Sequence, residues 1–342
     1  MGEKILTKDK LDEFIKGLTS EYSVYGPTVS GGEARWSRIE DAGKLSFDFS
    51  NTSLSPKSFF FPQTECMLEF KNDPRDKEGL IMKEVPPLDE RRVIVNMRPC
   101  DARAFKILDR IFYRDDDARD VYWLDKREKT IIIGLACNNP CSTCFCTSVG
   151  SGPFDEGGVD ILCVDLGEKL VLRPVSERGD ALVKGLEDAS AEDLSQVSAL
   201  KEKAEGAIEN KIEMDNILSR EVLEVYELPL WDRIHETCLN CGACTFYCPT
   251  CHCFDIQDET QGDYGRRVRN WDTCMSWLFT QHASGHNPRG TKKDRVRQRF
   301  MHKFKYIPFK LEGIIGCVGC GRCIKVCPVN IDVREVVKQM NE

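Results

Sequence analysis

The sequence predicts an α/β domain over residues 1–175, with at least part of its sheet parallel, followed by a smaller α-helical domain over 226–342 built around cysteines. Residues 176–225 join the two as a helical linker. Three observations lead there. A length of 342 residues suits two domains, since about 150 residues per domain is usual. Two apolar strand-like runs in the front half flank an amphipathic helix. One cysteine spacing occurs twice in the last third of the chain.

Residues 8–20 set Leu11, Phe14, Ile15 and Leu18 on one helical face. Turn-rich sequence follows at Gly26-Pro27 and at Ser30-Gly31-Gly32. Residues 59–62 and 67–70 read as short strands or their approaches. Arg92–Met97 is a buried strand, after which Arg98, Pro99, Cys100 and Asp101 turn into a helix with Ala104, Ile107, Leu108 and Ile111 on one face. Thr130–Leu135 is a second buried strand. Strand, helix and strand at this spacing make a crossover unit, so the two strands are expected to be parallel. Chemistry in such sheets sits at the carboxyl ends of the strands. Those ends carry Cys100 and the run Cys137, Cys141, Cys144 and Cys146. Residues 160–164 and 170–172 add strand-like runs, and 176–225, rich in Ala, Glu, Lys and Leu, read as helices. The long insert between Cys248 and Cys317 is expected to be mainly helical.

Cys238, Cys241, Cys244 and Cys248, followed by Pro249, repeat the spacing of Cys317, Cys320, Cys323 and Cys327, followed by Pro328. Both are Cys-x2-Cys-x2-Cys-x3-Cys-Pro, the run that holds cubane [4Fe–4S] clusters in bacterial ferredoxins. Three thiolates three residues apart let a tight loop wrap three corners of a cube. The fourth, on the following helical turn, reaches the other cluster in two-cluster proteins. The expected sets are Cys238, Cys241, Cys244 with Cys327, and Cys317, Cys320, Cys323 with Cys248. Gly242, Gly319 and Gly321 allow positive φ and close approach. Structural zinc uses two Cys-x2-Cys pairs per ion and leaves the third cysteine and the Cys-Pro unexplained. The C-terminal part is therefore read as an α-helical two-cluster ferredoxin-like domain.

Ten of the eighteen cysteines lie outside the two runs. Cys251, Cys253 and Cys274 form one set of three, and Cys137, Cys144 and Cys146 another, each with a Cys-x-Cys pair. One or two further clusters are expected from them, a third [4Fe–4S] cluster between the domains being the simplest version. Cys66 and Cys163, in apolar settings, read as small buried hydrophobes. Cys100 opens a helix, where thiolate is favoured. It is a cluster ligand, a redox thiol or a small residue in a tight turn. His252, His282 and His286 read as surface or core residues rather than ligands.

A net charge of −8 gives no global reason to bind nucleic acid. Residues 264–310 nevertheless hold twelve Lys/Arg and only two acids, Asp272 and Asp294. Such a stretch either docks an acidic partner or is a solvated helix face that offsets the charge of thiolate-bound clusters. No segment approaches the roughly 18 uninterrupted apolar residues of a membrane span, and the start lacks a secretory apolar core. Cysteine-rich sequence without an export signal points to a reducing cytoplasm, and to an anaerobe's, since exposed clusters are damaged by oxygen. No complete Gly-x-Gly-x-x-Gly opens a helix after a strand, so no dinucleotide is expected here.

Cys248, Pro249, Thr250, Cys251 and Cys253, then Arg266-Arg267 with Trp271, Cys274 and Met275, then Gly316 ahead of the second run, resemble one family closely. It is the iron–sulfur electron-transfer subunit shared by cytoplasmic sulfhydrogenases (the beta subunit) and anaerobic sulfite reductases (the A subunit). The front half is similar too, at Ser55-Pro56-Lys57 leading to Phe61-Pro62-Gln63-Thr64-Glu65, at Arg98-Pro99-Cys100-Asp101-Ala102 and from Thr143 to Ser148. Cys141 and Cys163 fall outside the shared pattern. The resemblance implies a chain without catalytic residues that relays single electrons. Its partners would be a flavoprotein subunit binding FAD and NAD(P)H, and a terminal hydrogenase or sulfite- or sulfur-reductase subunit. The alternative is a chain that itself reduces a disulfide or sulfur substrate with Cys-x-Cys thiols beside a cluster.

Overall fold

The computed structural model describes residues 2–72, 80–86 and 89–342. Its strands are β1 (Lys4–Thr7), β2 (Ser23–Ser30), β3 (Glu33–Arg38), β4 (Thr64–Asn72), β5 (Leu80–Glu84), β6 (Arg92–Met97), β7 (Thr130–Leu135), β8 (Ile161–Asp165), β9 (Lys169–Pro174), β10 (Glu187–Asp188), β11 (Phe254–Gln261) and β12 (Tyr264–Trp271). The larger sheet runs β10-β1-β9-β8-β7-β6-β2-β3. Its centre, β2, β6, β7 and β8, is parallel, and its outer pairs are antiparallel.

The parallel centre follows from the sequence. Every residue of β6 and β7 is buried, because both faces of the sheet are covered. Val93, Val95, Ile131 and Ile133 pack with Leu11, Ile15 and Leu18 of the helix Leu11–Thr19. On the other face, Ile94 and Ile132 pack with Phe60, Phe105, Leu108, Phe112 and Trp123. The last four come from the helices Pro99–Phe112 and Val121–Glu128, which make up the expected crossover. Gly31 and Gly32, with φ of 59° and 79°, turn β2 into β3 as expected. Gly26-Pro27 does not turn but lies inside β2. There a Cβ on Gly26 would come 2.5 Å from Leu45 Cδ1 and 2.8 Å from Val95 Cγ2, so this glycine serves close packing. The stretch at 59–62 is likewise no strand: a 3-10 turn, Pro56–Phe59, leads into β4.

The smaller sheet, β11-β12-β4-β5, is antiparallel throughout. It corrects the helical expectation for the long insert, which opens with the β11–β12 hairpin and is continuously helical only from Lys292 to Lys310. β11 is polar along almost its whole length, so no apolar alternation announced it. Opposite charges across the ladder support it instead: Asp258 faces Arg267 and Glu259 faces Arg266, each pair at 2.7 Å. β12 pairs with β4 and so ties the insert to the front half. Arg269 of β12, only 2% exposed, holds the carboxylates of buried Glu65 and half-buried Asp120, and Lys126 also grips Glu65.

A second core gathers Trp231, Phe300, Met301, Phe304, Val336, Val337 and Met340 from the C-terminal helices. Ile212, Met214 and Ile217 enter it from the residues before, and Phe145 and Val149 from the loop after β7. No helix among the described residues is long and apolar enough to cross a membrane. Replacing Arg269 by Leu leaves half-buried Asp120 with the Trp123 N–H but no cation, while Lys126 still holds Glu65. Urea unfolding of Arg269→Leu is expected to show a loss of about 3 kcal/mol, the low end for a broken buried pair.

Candidate iron–sulfur centres

Each cysteine run folds as a loop and one short helical turn, Ala243–Phe246 in the first and Arg322–Lys325 in the second. The two loops share one backbone pattern. Asn240 and Gly242 in the first, with φ of 55° and 74°, match Gly319 and Gly321 in the second, at 62° and 71°. Asn240 was not singled out by sequence, although asparagine is the residue that enters the left-handed region most readily after glycine. These turns aim N–H groups at sulfur. Asn240 N–H donates to Cys238 Sγ at 3.4 Å, and Gly319 N–H to Cys317 Sγ at 3.4 Å. Ile331 N–H donates to Cys327 Sγ at 3.2 Å. Donors on sulfur favour the thiolate, the form a metal binds.

Cys238, Cys241, Cys244 and Cys327 line one cavity, walled by Met275, Val296 and Phe300, and Cys323 borders it. Cys241 is the exposed member. Cys248 lies within electrostatic reach of Cys317, Cys320 and Cys323, and of Cys244 as well. Burial pushes the Cys320 thiol up to about 12. A thiol so deep ionises only with a positive centre at hand, and coordinating iron supplies one.

A second thiol-lined cavity lies at the ends of β6 and β7. Cys100, Cys137, Cys141, Cys144 and Cys146 surround it, and Cys320 borders it. Parallel strands place Cys100 and Cys137 at the same edge, and Arg98 joins the two ends by donating to Ala136 O at 2.8 Å. Sequence reasoning had named Cys137, Cys144 and Cys146, left Cys100 open, and given Cys141 no role. Cys141 is as much part of the ring as the others. Its Cys-x2-Cys spacing with Cys144, whose Sγ lies 3.3 Å away, was the signal. With Cys320, six cysteines line this cavity, more than the four a cubane takes. The hydroxyls of Thr143, Thr147 and Ser151 are buried here without a partner among the described residues.

The second run is seated directly on this loop. Phe145 N–H donates to Gly319 O at 3.0 Å. A Cβ on Gly319 would come 2.5 Å from Cys146 N, and one on Gly321 2.3 Å from Thr143 Oγ1. Beside Cys320, the buried guanidinium of Arg322 donates to both carboxylate oxygens of Asp101, at 2.6 and 2.7 Å.

Of the remaining set, Cys251 lies against Cys248, and Cys253 against Cys274. His252 stacks near His302, with ring centroids 5.5 Å apart, and burial holds its pKa down to about 4, so both face the core as neutral rings. His282 and His286 pair with each other at 5.4 Å. Cys66 and Cys163 sit in β4 and β8. The basic stretch forms no continuous charged face. Arg266, Arg267, Lys293 and Arg297 are paired with acids, while Arg269, Arg299, Lys303 and Lys305 are buried.

No three His, Cys, Asp or Glu side chains among the described residues converge on a single-ion site. The thiols are spread around cavities, as corners of a polynuclear group must be. Soft sulfur donors, backbone N–H groups aimed at them and unpartnered hydroxyls together fit iron–sulfur clusters. The comparisons agree. A family described as a 4Fe-4S dicluster domain matches residues 237–331. The "Sulfhydrogenase 2 subunit beta" of Pyrococcus furiosus is 30% identical over 98% of this chain and 98% of its own length. No solved structure matches.

Gly319 and Gly262 have the same φ of 62°, but only Gly319 has another chain segment against it. Gly262→Ala is expected to cost about 1 kcal/mol, the backbone term alone. Gly319→Ala is expected to cost more and to abolish hydrogen-exchange protection at Phe145 N–H. Equal losses in the two variants would mean that the seating of the loop matters little.

Proposed function

Because the chain belongs to the sulfhydrogenase beta-subunit family, we propose that it relays single electrons between a flavoprotein subunit binding FAD and NAD(P)H and a terminal hydrogenase or sulfite- or sulfur-reductase subunit. Electron transfer within an oxidoreductase complex follows from that membership and from the dicluster domain. One observation supports the relay most strongly. Cys323 borders the cavity of Cys238, Cys241, Cys244 and Cys327, and Cys320 borders the cavity at the ends of β6 and β7. The second run thus stands between two other thiol-lined sites, with contact to each.

In this reading Cys238, Cys241, Cys244 and Cys327 hold the first centre, and Cys317, Cys320, Cys323 and Cys248 the second. Four of Cys100, Cys137, Cys141, Cys144 and Cys146 hold a third. Cys251, Cys253 and Cys274 form a further thiol site beside the second. Bound [4Fe–4S] clusters supply one-electron storage, at potentials set by their surroundings. The chain's own residues do the rest. Val296 and Phe300 at the first site, and Val318 with Ile107 at the junction of the second and third, exclude water. The N–H groups of Asn240, Gly319 and Ile331 stabilise negative charge on sulfur. Cys241, at the surface, offers one end of the path to a partner.

A second reading, in which the chain is itself a disulfide or sulfur reductase, draws support from the 3.3 Å separation of Cys141 and Cys144. That dithiol would pass two electrons and two protons to the substrate and become a disulfide. Alkylation of the reduced, cluster-loaded protein distinguishes the two, since modification of Cys141 abolishes turnover only if the dithiol is the reductant.

For the relay, Cys320→Ser in the assembled complex is expected to remove one cluster's electron paramagnetic resonance signal and to stop turnover. The partner's flavin should still be reduced by NAD(P)H. Full turnover with one cluster missing would contradict the relay.

A further inference from the structure

Three cations are buried around Cys248 and Cys251: Lys57 is 2% exposed, Lys303 4% and Arg299 5%. None forms an ion pair with a carboxylate among the described residues. Lys57 Nζ donates to Cys251 O at 2.8 Å and lies 3.9 Å from the Trp271 ring centroid. Lys303 Nζ donates to Thr250 Oγ1 at 2.7 Å and to Gly316 O at 3.1 Å. Thr250 Oγ1 is in turn 3.3 Å from Cys248 Sγ. Arg299 lines the cavity between Cys244 and Cys323, and one of its terminal nitrogens has no partner. Arg322 and Arg269 are neutralised directly, by Asp101 and by Glu65 with Asp120. Lys305 and Arg98 spend their donors on backbone carbonyls. Lys57, Arg299 and Lys303 are instead gathered around one group of thiols.

Isolated buried cations are costly unless an anion compensates them. The groups facing these three that can carry negative charge are thiols, Cys248 and Cys251 above all, with Cys317, Cys323, Cys244 and Cys253. Ionised on a metal centre, those thiols supply the missing charge. The effect works in both directions. A reduced centre is one charge more negative than an oxidised one, so fixed cations in a low-dielectric interior favour the reduced form.

We propose that Lys57, Arg299 and Lys303 are the built-in counter-charge of the centre held by Cys317, Cys320, Cys323 and Cys248, and that they give it the highest reduction potential in the chain. This rests on the ligand assignment made above. Of the three cations the first centre shares only Arg299, which lines its cavity and acts on Cys244 as well as Cys323, and it has neither Lys57 nor Lys303 against it. The first opens to solvent at Cys241, where water screens charge. The third faces Arg98, whose donors go to backbone carbonyls, Arg322, which Asp101 already neutralises, and Lys325 and Arg334, neither of them buried. A middle station of highest potential holds an electron between the two ends of the path, so that partners on either side exchange with one reservoir.

A redox titration of the cluster-loaded protein followed by electron paramagnetic resonance tests this, with Cys320→Ser identifying the signal of the second centre. In Lys303→Met the ratio of reduced to oxidised second centre at a fixed potential is expected to fall at least tenfold, a shift of about 59 mV for one electron. The first centre should move far less, and Lys303→Arg should restore the wild-type value. If Lys303→Met does not accumulate, Lys57→Gln is expected to shift the same signal in the same direction. An unchanged second-centre potential in a fully loaded Lys303→Met or Lys57→Gln protein overturns the proposal, as does a wild-type second centre that is not the highest. Iron content and spectra of Cys320→Ser identical to wild type would instead overturn the ligand assignment, and the proposal with it.

Discussion

Arg322 lies between Cys320 and Cys323, and Asp101 follows Cys100 at the start of the helix after β6. Their bidentate pair is almost fully buried, with 4% and 1% side-chain exposure. The guanidinium also donates to Thr52 O and Thr52 Oγ1, each at 3.0 Å, and to Asn51. One side chain thus pins the second cysteine run, the strand-end helix and the loop at 51–52 in a single register. A buried pair of this kind contributes little net stability compared with apolar packing, and its value lies in specifying the arrangement. In that register Val318 and Cys320 pack on Ala104, Ile107 and Cys100. Together with the hydrogen bond from Phe145 N–H to Gly319 O, it sets the second run against the cavity at the ends of β6 and β7, the continuity on which the proposed relay rests.

What could be read from sequence divides along physical lines. The two cysteine runs were legible because their spacing is covalent and local, and the same spacing anticipates that Cys327 lines a cavity with Cys238, Cys241 and Cys244. β6, the helix Pro99–Phe112 and β7 were legible because apolar runs of strand length, buried on both faces, leave little other choice. The hairpin β11–β12 was not. Its outer strand is polar, and what holds it is a partner strand, β4, nearly two hundred residues away in sequence. Cys141 was passed over because it lies outside the pattern of resembling proteins, yet the parallel strands carry it to the same ring as Cys137 and Cys144.

The basic insert makes the same point with charge. A run of Lys and Arg looks like a surface, but partners distant in sequence decide where each cation goes. Arg269 finds Glu65 and Asp120. Lys305 finds the carbonyls of Ile217 and Leu218, at 3.0 and 2.9 Å, and closes the end of the helix Asp215–Ser219. Arg299 and Lys303 find thiols. The charge that seemed to advertise a docking face is divided among acids, backbone carbonyls and, for Arg299 and Lys303, the cysteines.

The central claim is that the five thiols at the ends of β6 and β7 add a cluster to the two of the ferredoxin-type runs. Iron and acid-labile sulfide per chain, determined on protein purified or reconstituted without oxygen, test it most directly. The account predicts about twelve or more iron atoms per chain and as many sulfides, four per cubane. About eight of each, with Cys137 and Cys146 freely alkylated, would contradict it.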